Sequence, residues 1–249
     1  MIGIEKHRSF LKAHWWYERD KVQTDKLKKI PSPPLQKPYS PDVHLIDLIP
    51  LENFNMKGVT IFEAIKNRKT HRKFSKVSLS LEELSFLLWA TQGVHKIDKL
   101  GRTKRTVPSA GARHPFETYL IINRVDKLDA GVYRYLSLEH KLCLISSGCI
   151  QKKSIKGAFR EQGFIARSAV IFIWTVIPYR SEWQYLMVAP KMIALDAGHL
   201  CQNLYLACEA IDAGTCAVGL YDQQQLDVLV NVDGKEEFVI YAAPVGKIK

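Results

Sequence analysis

The sequence predicts an α+β fold, and three observations carry that expectation. Helix-like and strand-like segments are interspersed without the regular β-α-β alternation of a doubly wound sheet. Two capping boxes mark helix starts in the first half of the chain, and segments rich in β-branched and aromatic residues read as strands in the second. With 249 residues, 47% of them hydrophobic, there is apolar material for a full-sized core.

The N-terminal stretch, 1–56, sets Trp15, Trp16 and Tyr17 among scattered charges. It then passes Pro31, Pro33, Pro34, Pro38 and Pro41, which deny it a helix or a central strand. It reads as a short helix and a proline-rich extended arm, ahead of a main domain over 57–249. The aromatics need burial, against the body or a second subunit; the other reading is a disordered basic tail.

Thr60 with Glu63 makes a capping box, and Ile61, Phe62, Ala64 and Ile65 give one apolar face to a helix ending near Arg68. Ser80 with Glu83 opens a second helix, where Leu81, Leu84, Leu87 and Leu88 recur at helical spacing up to Gly93. Strands are expected over 116–122, 131–136, 141–145, 169–177 and 238–245. Between the last two, a long helix is expected over about 192–213, with Leu195, Leu200, Leu204, Ala207 and Ile211 apolar and Gly214 just past its end. A short helix over 223–230 follows Asp222, which caps it with Gln225 at the third position.

A formal charge of +11 requires a nucleic-acid or anionic-surface partner to be weighed. The excess is local: residues 57–113 carry 13 basic and 4 acidic groups, whereas 114–249 carry 14 and 14. No nucleic-acid motif accompanies it, which speaks against a basic nucleic-acid-binding module. Cys143, Cys149, Cys201, Cys208 and Cys216 are odd in number, contain no Cys-x-x-Cys pair and follow no secretory signal, so free thiols in a reducing cytoplasm and no metal site are expected. The longest apolar stretch, 168–179, is about half of the ~20 residues a membrane-spanning helix needs, and reads as a buried strand.

Four stretches could carry chemistry. Arg68, Thr70 and Arg72 alternate, so an extended backbone turns them to one side as a comb suited to a phosphate; basic residues after a helix also simply complement its dipole. Pro108-Ser109-Ala110-Gly111-Ala112-Arg113 is small enough to let backbone N–H groups approach a flat ligand, or is a bare turn. The run from Gly214 to Gly219 lacks both dinucleotide and Walker signatures. Lys247 and Lys249 alternate at the C-terminus, where fraying is the ordinary expectation.

Together with the helix from Leu84 to Gly93, the Gly131-Val132-Tyr133-Arg134-Tyr135 strand, Asp196-Ala197-Gly198-His199 and Gln202-Asn203-Leu204, these elements and their order resemble the nitroreductase family over roughly 60–249, most closely its SagB-type dehydrogenase branch. The resemblance implies a nitroreductase-like fold, a mostly antiparallel sheet flanked by helices in an intertwined homodimer, with FMN bound between subunits. It implies that Arg68, Lys69, Thr70 and Arg72 hold the phosphate, ribityl chain and N1/O2 edge, with Arg72 nearest the ring. The Pro108, Ser109, Ala110 and Gly111 segment comes from the other subunit, Arg113 also binds the cofactor, Val218 and Gly219 line the flavin face and N5 edge, and Lys247 and Lys249 reach the phosphate. The implied activity is hydride transfer through flavin N5 by a ping-pong mechanism, with NAD(P)H as donor and a small-molecule or peptide-derived substrate. A flavin-fold scaffold without catalysis in a peptide-modifying complex is the alternative. A Lys-Tyr pair serves azoline oxidation in the SagB-type branch; here Gln184-Tyr185 stands in its place, and an amide cannot act as a base, which leaves Tyr185 to orient a substrate or shuttle a proton. His199 reads as a hydrogen-bonded structural histidine.

Overall fold

The computed structural model describes residues 3–56 and 58–248. In chain order these form α1 (Ile4–Arg8), α2 (Trp15–Asp20), β1 (Leu45–Asp47), α3 (Ile61–Asn67), α4 (Leu81–Gln92), the hairpin β2 (Val94–Ile97) and β3 (Thr103–Arg105), then β4 (Phe116–Ile122), β5 (Gly131–Leu136) and β6 (Lys141–Ser147). There follow α5 (Lys152–Ala158), β7 (Val170–Val176), α6 (Tyr179–Tyr185), α7 (Ala189–Glu209), β8 (Ala213–Thr215), α8 (Gln223–Leu229) and β9 (Phe238–Lys247). The sheet runs β1-β6-β5-β4-β7-β9-β8, each named pair antiparallel. An α+β fold is thus what the chain forms.

Strand alternation makes two cores from one sheet. On β7, Val170, Phe172, Trp174 and Val176 face the layer that holds Leu84, Leu87, Leu88 of α4 and Leu200, Leu204 of α7. Ile171 and Ile173 point the other way, into a second cluster with Ile155 and Ala158 of α5 and Leu226 of α8. With both faces covered, β7 has no reason to alternate polar and apolar residues, which explains its unbroken apolar sequence.

The helix starts are set locally, as expected. Thr60 Oγ1 accepts from the Glu63 N–H at 3.2 Å while the Glu63 carboxylate accepts from the Thr60 N–H at 3.0 Å. Ser80 and Glu83 make the same exchange at 3.1 and 2.9 Å, and Asp222 accepts from the Gln225 N–H at 2.9 Å.

The long helix corrects the expectation at both ends. It begins at Ala189 because Pro190 fits the first turn, where its missing N–H goes unneeded. It ends at Glu209, and Gly214 lies in β8 rather than just past a helix. The glycine is needed for close approach: a Cβ there would lie 2.5 Å from Ile248 Cγ2 and 2.6 Å from His71 Cβ.

Residues 3–56 contain two short helices rather than one, and β1 is an edge strand that pairs Ile46 with Leu142. The proline-rich run lies along the body. Its backbone carbonyls accept from arginines of the body: Arg105 donates to the Leu35 carbonyl and Arg134 to that of Pro38, each at 3.1 Å. Lys249 lies outside the described residues.

Candidate cofactor site

The comb sits where α3 stops. Arg68 caps the helix, the chain becomes extended, and Thr70 bridges in parallel to Thr215 while the His71 N–H donates to the Thr215 carbonyl at 2.9 Å. Tyr205 of α7 receives this segment. The Arg68 guanidinium lies 5.3 Å from its ring centre, Thr70 Oγ1 lies 3.1 Å from its hydroxyl, and that hydroxyl accepts the Ala217 N–H at 2.9 Å. Arg72 lies further on, against the Cys216 thiol; burial pushes that thiol's pKa up and the guanidinium opposes the rise. Lys69, Thr70 and Arg72 are exposed and Arg68 half-buried. Among the described residues, none of these three cations has a carboxylate partner.

The small-residue stretch is built differently. Ser109 Oγ donates to Asp196 Oδ2 of α7 at 2.6 Å, the Ala110 N–H donates to the same oxygen at 3.1 Å, and Ser109 Oγ accepts the His114 N–H at 2.9 Å. Burial raises the Asp196 pKa, opposed by those two donors. Gly111 is left-handed at φ 59°, and a Cβ on it would meet Tyr185 Oη at 2.6 Å and Gln184 Nε2 at 2.8 Å. Pro108 is exposed. Arg113 is buried, donates to the Arg180 carbonyl at 2.6 Å and lies 4.7 Å over the Trp183 ring, so it braces this turn.

Tyr185 therefore touches the small-residue stretch. Burial first, and the negative charge of Asp196 second, raise its pKa and keep the phenol protonated. The N-terminal segment closes over it: Trp16 meets the Tyr185 ring edge-on at 5.9 Å, Arg19 donates to the Gln184 carbonyl at 3.3 Å and Lys26 to Gln184 Oε1 at 3.3 Å.

Like Arg113, two further expected contributors are engaged within the chain. The Val218 side chain is 3% exposed and packs in the core, its backbone exchanging hydrogen bonds with Ala242, while Gly219 is exposed. Lys247 Nζ is held by the Glu83 carboxylate and the Ile211 carbonyl. His199 is exposed on α7 and has no hydrogen-bond partner among the described residues, which corrects its reading as a bonded structural histidine; exposure leaves its ring to water. Sequence reasoning missed Tyr205, whose signal was one hydroxyl on an otherwise apolar helix face, and Trp16, Arg19 and Lys26, which no local pattern ties to the site.

Asp196 and Tyr205 share one helix, so the two halves of the site lie about 14 Å apart along it. A sequence model of the nitroreductase family matches residues 65–247. The chain belongs to the nitroreductase family. A nitroreductase-named protein of Methanocaldococcus jannaschii is 28% identical over 206 residues, covering 83% of this chain and 98% of that protein. The trifolitoxin-processing protein TfxB of Rhizobium leguminosarum bv. trifolii is 30% identical over 115 residues, covering 43% of this chain and 30% of that protein. Among solved structures, a nitroreductase-named protein of Ralstonia eutropha superposes with a TM-score of 0.68 at 22% identity, over 85% of this chain and 92% of that one. The NADPH:FMN oxidoreductase of Vibrio harveyi, solved with NAD+, superposes at 0.51 and 15% identity, over 75% and 67%. The seven-stranded, mostly antiparallel sheet flanked by helices is the nitroreductase fold, and membership makes the chain an oxidoreductase. Among its described residues, no helix is long and apolar enough to cross a membrane.

Proposed function

We propose that this nitroreductase-family chain is an FMN-dependent oxidoreductase of the SagB-type dehydrogenase branch, acting in the cytoplasm as a homodimer with FMN at the subunit interface. The observation that carries this reading is the unpaired positive charge of the comb among the described residues. Among the described residues, Arg68, Lys69 and Arg72 lack carboxylate partners, and they flank the exposed Thr70, a set that suits the roughly −1.5 to −2 charge of a phosphate.

Dimerisation is supported by apolar surface left open beside that comb. Ile61, Phe62 and Ile65 of α3 are 67%, 70% and 61% exposed, and α7 shows Leu195 at 53% and Gly198 with nothing within 4 Å of a Cβ position. A second copy would cover these faces. It would also bring its Pro108–Gly111 stretch to the comb, joining halves that one chain holds apart.

Bound there, FMN would supply hydride exchange at N5 in two half-reactions, from NAD(P)H and then to a small-molecule or peptide-derived acceptor. The chain's own residues hold and polarise it. Arg68, Lys69 and Thr70 anchor the phosphate and ribityl chain, and Arg72 offsets negative charge at the N1/O2 edge. The stretch after β8, held to Tyr205 through the Ala217 N–H, brings Val218 and Gly219 to border the flavin face through their backbone. Tyr185, kept protonated, orients a substrate or donates a proton. Lys247 would reach an anion only by leaving Glu83 and Ile211, and Lys249 remains an assignment from the resemblance alone. Residues 1–56 serve as an arm on a flavin domain over 57–249.

The test is direct. The purified protein should be yellow, dimeric by light scattering, carry one FMN per chain and bleach with NADPH or NADH. An FMN-saturated protein that stays monomeric, with no affinity for the coenzyme, sinks the reading; a yellow dimer that neither nicotinamide bleaches favours the scaffold.

A further inference from the structure

We propose that Tyr205 is a positioning residue: it fixes Thr70 as a hydrogen-bond donor towards the ligand, and thereby makes the site select a phosphorylated flavin over an unphosphorylated one. The inference rests on the FMN reading above and deepens it.

The direction of three hydrogen bonds carries the argument. A backbone amide only donates, and the Ala217 N–H lies 2.9 Å from Tyr205 Oη, so the phenol oxygen accepts there. The phenol has one proton of its own, and among the described residues the acceptor within reach is Thr70 Oγ1, at 3.1 Å. With the Tyr205 proton assigned to Thr70 Oγ1, that oxygen is the acceptor. Its own hydrogen has no acceptor among the described residues, and the residue is exposed beside Arg68 and Lys69. The relay thus runs one way, from amide to phenol to threonine hydroxyl to ligand. With the amide fixed as donor and the phenol proton directed at Thr70, each link polarises the next.

The same ring also takes the Arg68 guanidinium on its face, 5.3 Å from the ring centre. One buried side chain on α7 so contacts both a hydroxyl and a cation of the comb. A group that only accepts, such as a phosphate with three oxygens, uses both. A neutral terminal hydroxyl, as riboflavin offers in place of the phosphate, brings no charge to the guanidinium.

The experiment compares Tyr205→Phe with wild type, each as the purified dimer stripped of flavin and titrated with FMN and with riboflavin. Phenylalanine keeps the ring, its packing and its cation contact, and removes the hydroxyl alone. FMN affinity should fall about tenfold, a fraction of the worth of a charge-assisted hydrogen bond, while riboflavin affinity changes less than about twofold. Thr70→Ala should lose the same FMN preference, the double variant should lose no more than either single one, and Thr70→Ser should retain it. A purely structural Tyr205 would weaken both flavins alike, and that result, or additive losses in the double variant, overturns the proposal. Should wild type bind neither flavin, the FMN reading fails on its own; the relay is then judged with inorganic phosphate. Wild type should be stabilised against heat by phosphate and Tyr205→Phe much less, and equal or absent stabilisation of the two overturns it.

Discussion

At the Asp196 end of α7, Ser109 and Ala110 hold the carboxylate and Arg113 holds a carbonyl, all inside the chain. At the Tyr205 end, Lys69 and Arg72 are exposed and Arg68 is half-buried, and among the described residues none has a carboxylate of its own. Burial explains the difference. A buried donor left without an acceptor costs the full desolvation of the group, so the Asp196 carboxylate and the Arg113 guanidinium at the inner end are held by partners within the fold. Exposed cations are solvated at little cost and can await an anion from outside. The first end supplies shape and the second supplies charge.

The most severe way to break this contrast is at the inner end. Arg180, whose carbonyl holds Arg113, pairs with Glu117 at 2.6 Å with the two side chains 2% and 4% exposed. Glu117→Ala should cost about 3–5 kcal/mol, read from urea unfolding, because it strands a buried guanidinium. An unchanged midpoint would mean that this end is not the rigid one.

Acid should attack the same end. Burial, and then the charge of Arg105, lowers the pKa of His114 from 6.5 to about 3. Below pH 6.5 the unfolded chain takes up a proton that the folded chain refuses, so the stability present above 6.5 is lost progressively as pH falls towards about 3, by up to about 1.4 kcal/mol per pH unit. Unfolding free energies between pH 7 and 5 should show that slope, and His114→Gln should flatten it. A slope unaltered by the substitution would place the acid sensitivity elsewhere.

The outer end should respond in function rather than stability. Arg68→Ala is expected to change unfolding free energy by less than about 0.5 kcal/mol while FMN retention through gel filtration drops about tenfold. Arg72→Ala should lower turnover before it lowers FMN content, since its place is beside Cys216 rather than on Tyr205. Normal flavin content with full turnover in that variant would remove Arg72 from the chemistry.

What was legible in the sequence follows the range of the forces involved. The starts of α3, α4 and α8 were readable because a cap joins residues three apart, and β7 because its composition reports burial directly. The end of α7 was misplaced because Gly214 answers to a distant contact with His71 and Ile248, which no helical period records. Within the site, Arg68, Thr70 and Arg72 stood out by residue type and spacing, whereas Tyr205 did not.

The sequence by itself determined the fold class, the helix starts, the apolar strands and the cationic comb, because side-chain chemistry and near-neighbour geometry suffice for these. Only the tertiary structure decided that Thr70 meets Tyr205 across 135 residues, that Lys247 is spent on Glu83, and that the N-terminal segment lies over Tyr185. Such contacts depend on how separate elements pack, and packing is a property of the whole core rather than of any window of the chain.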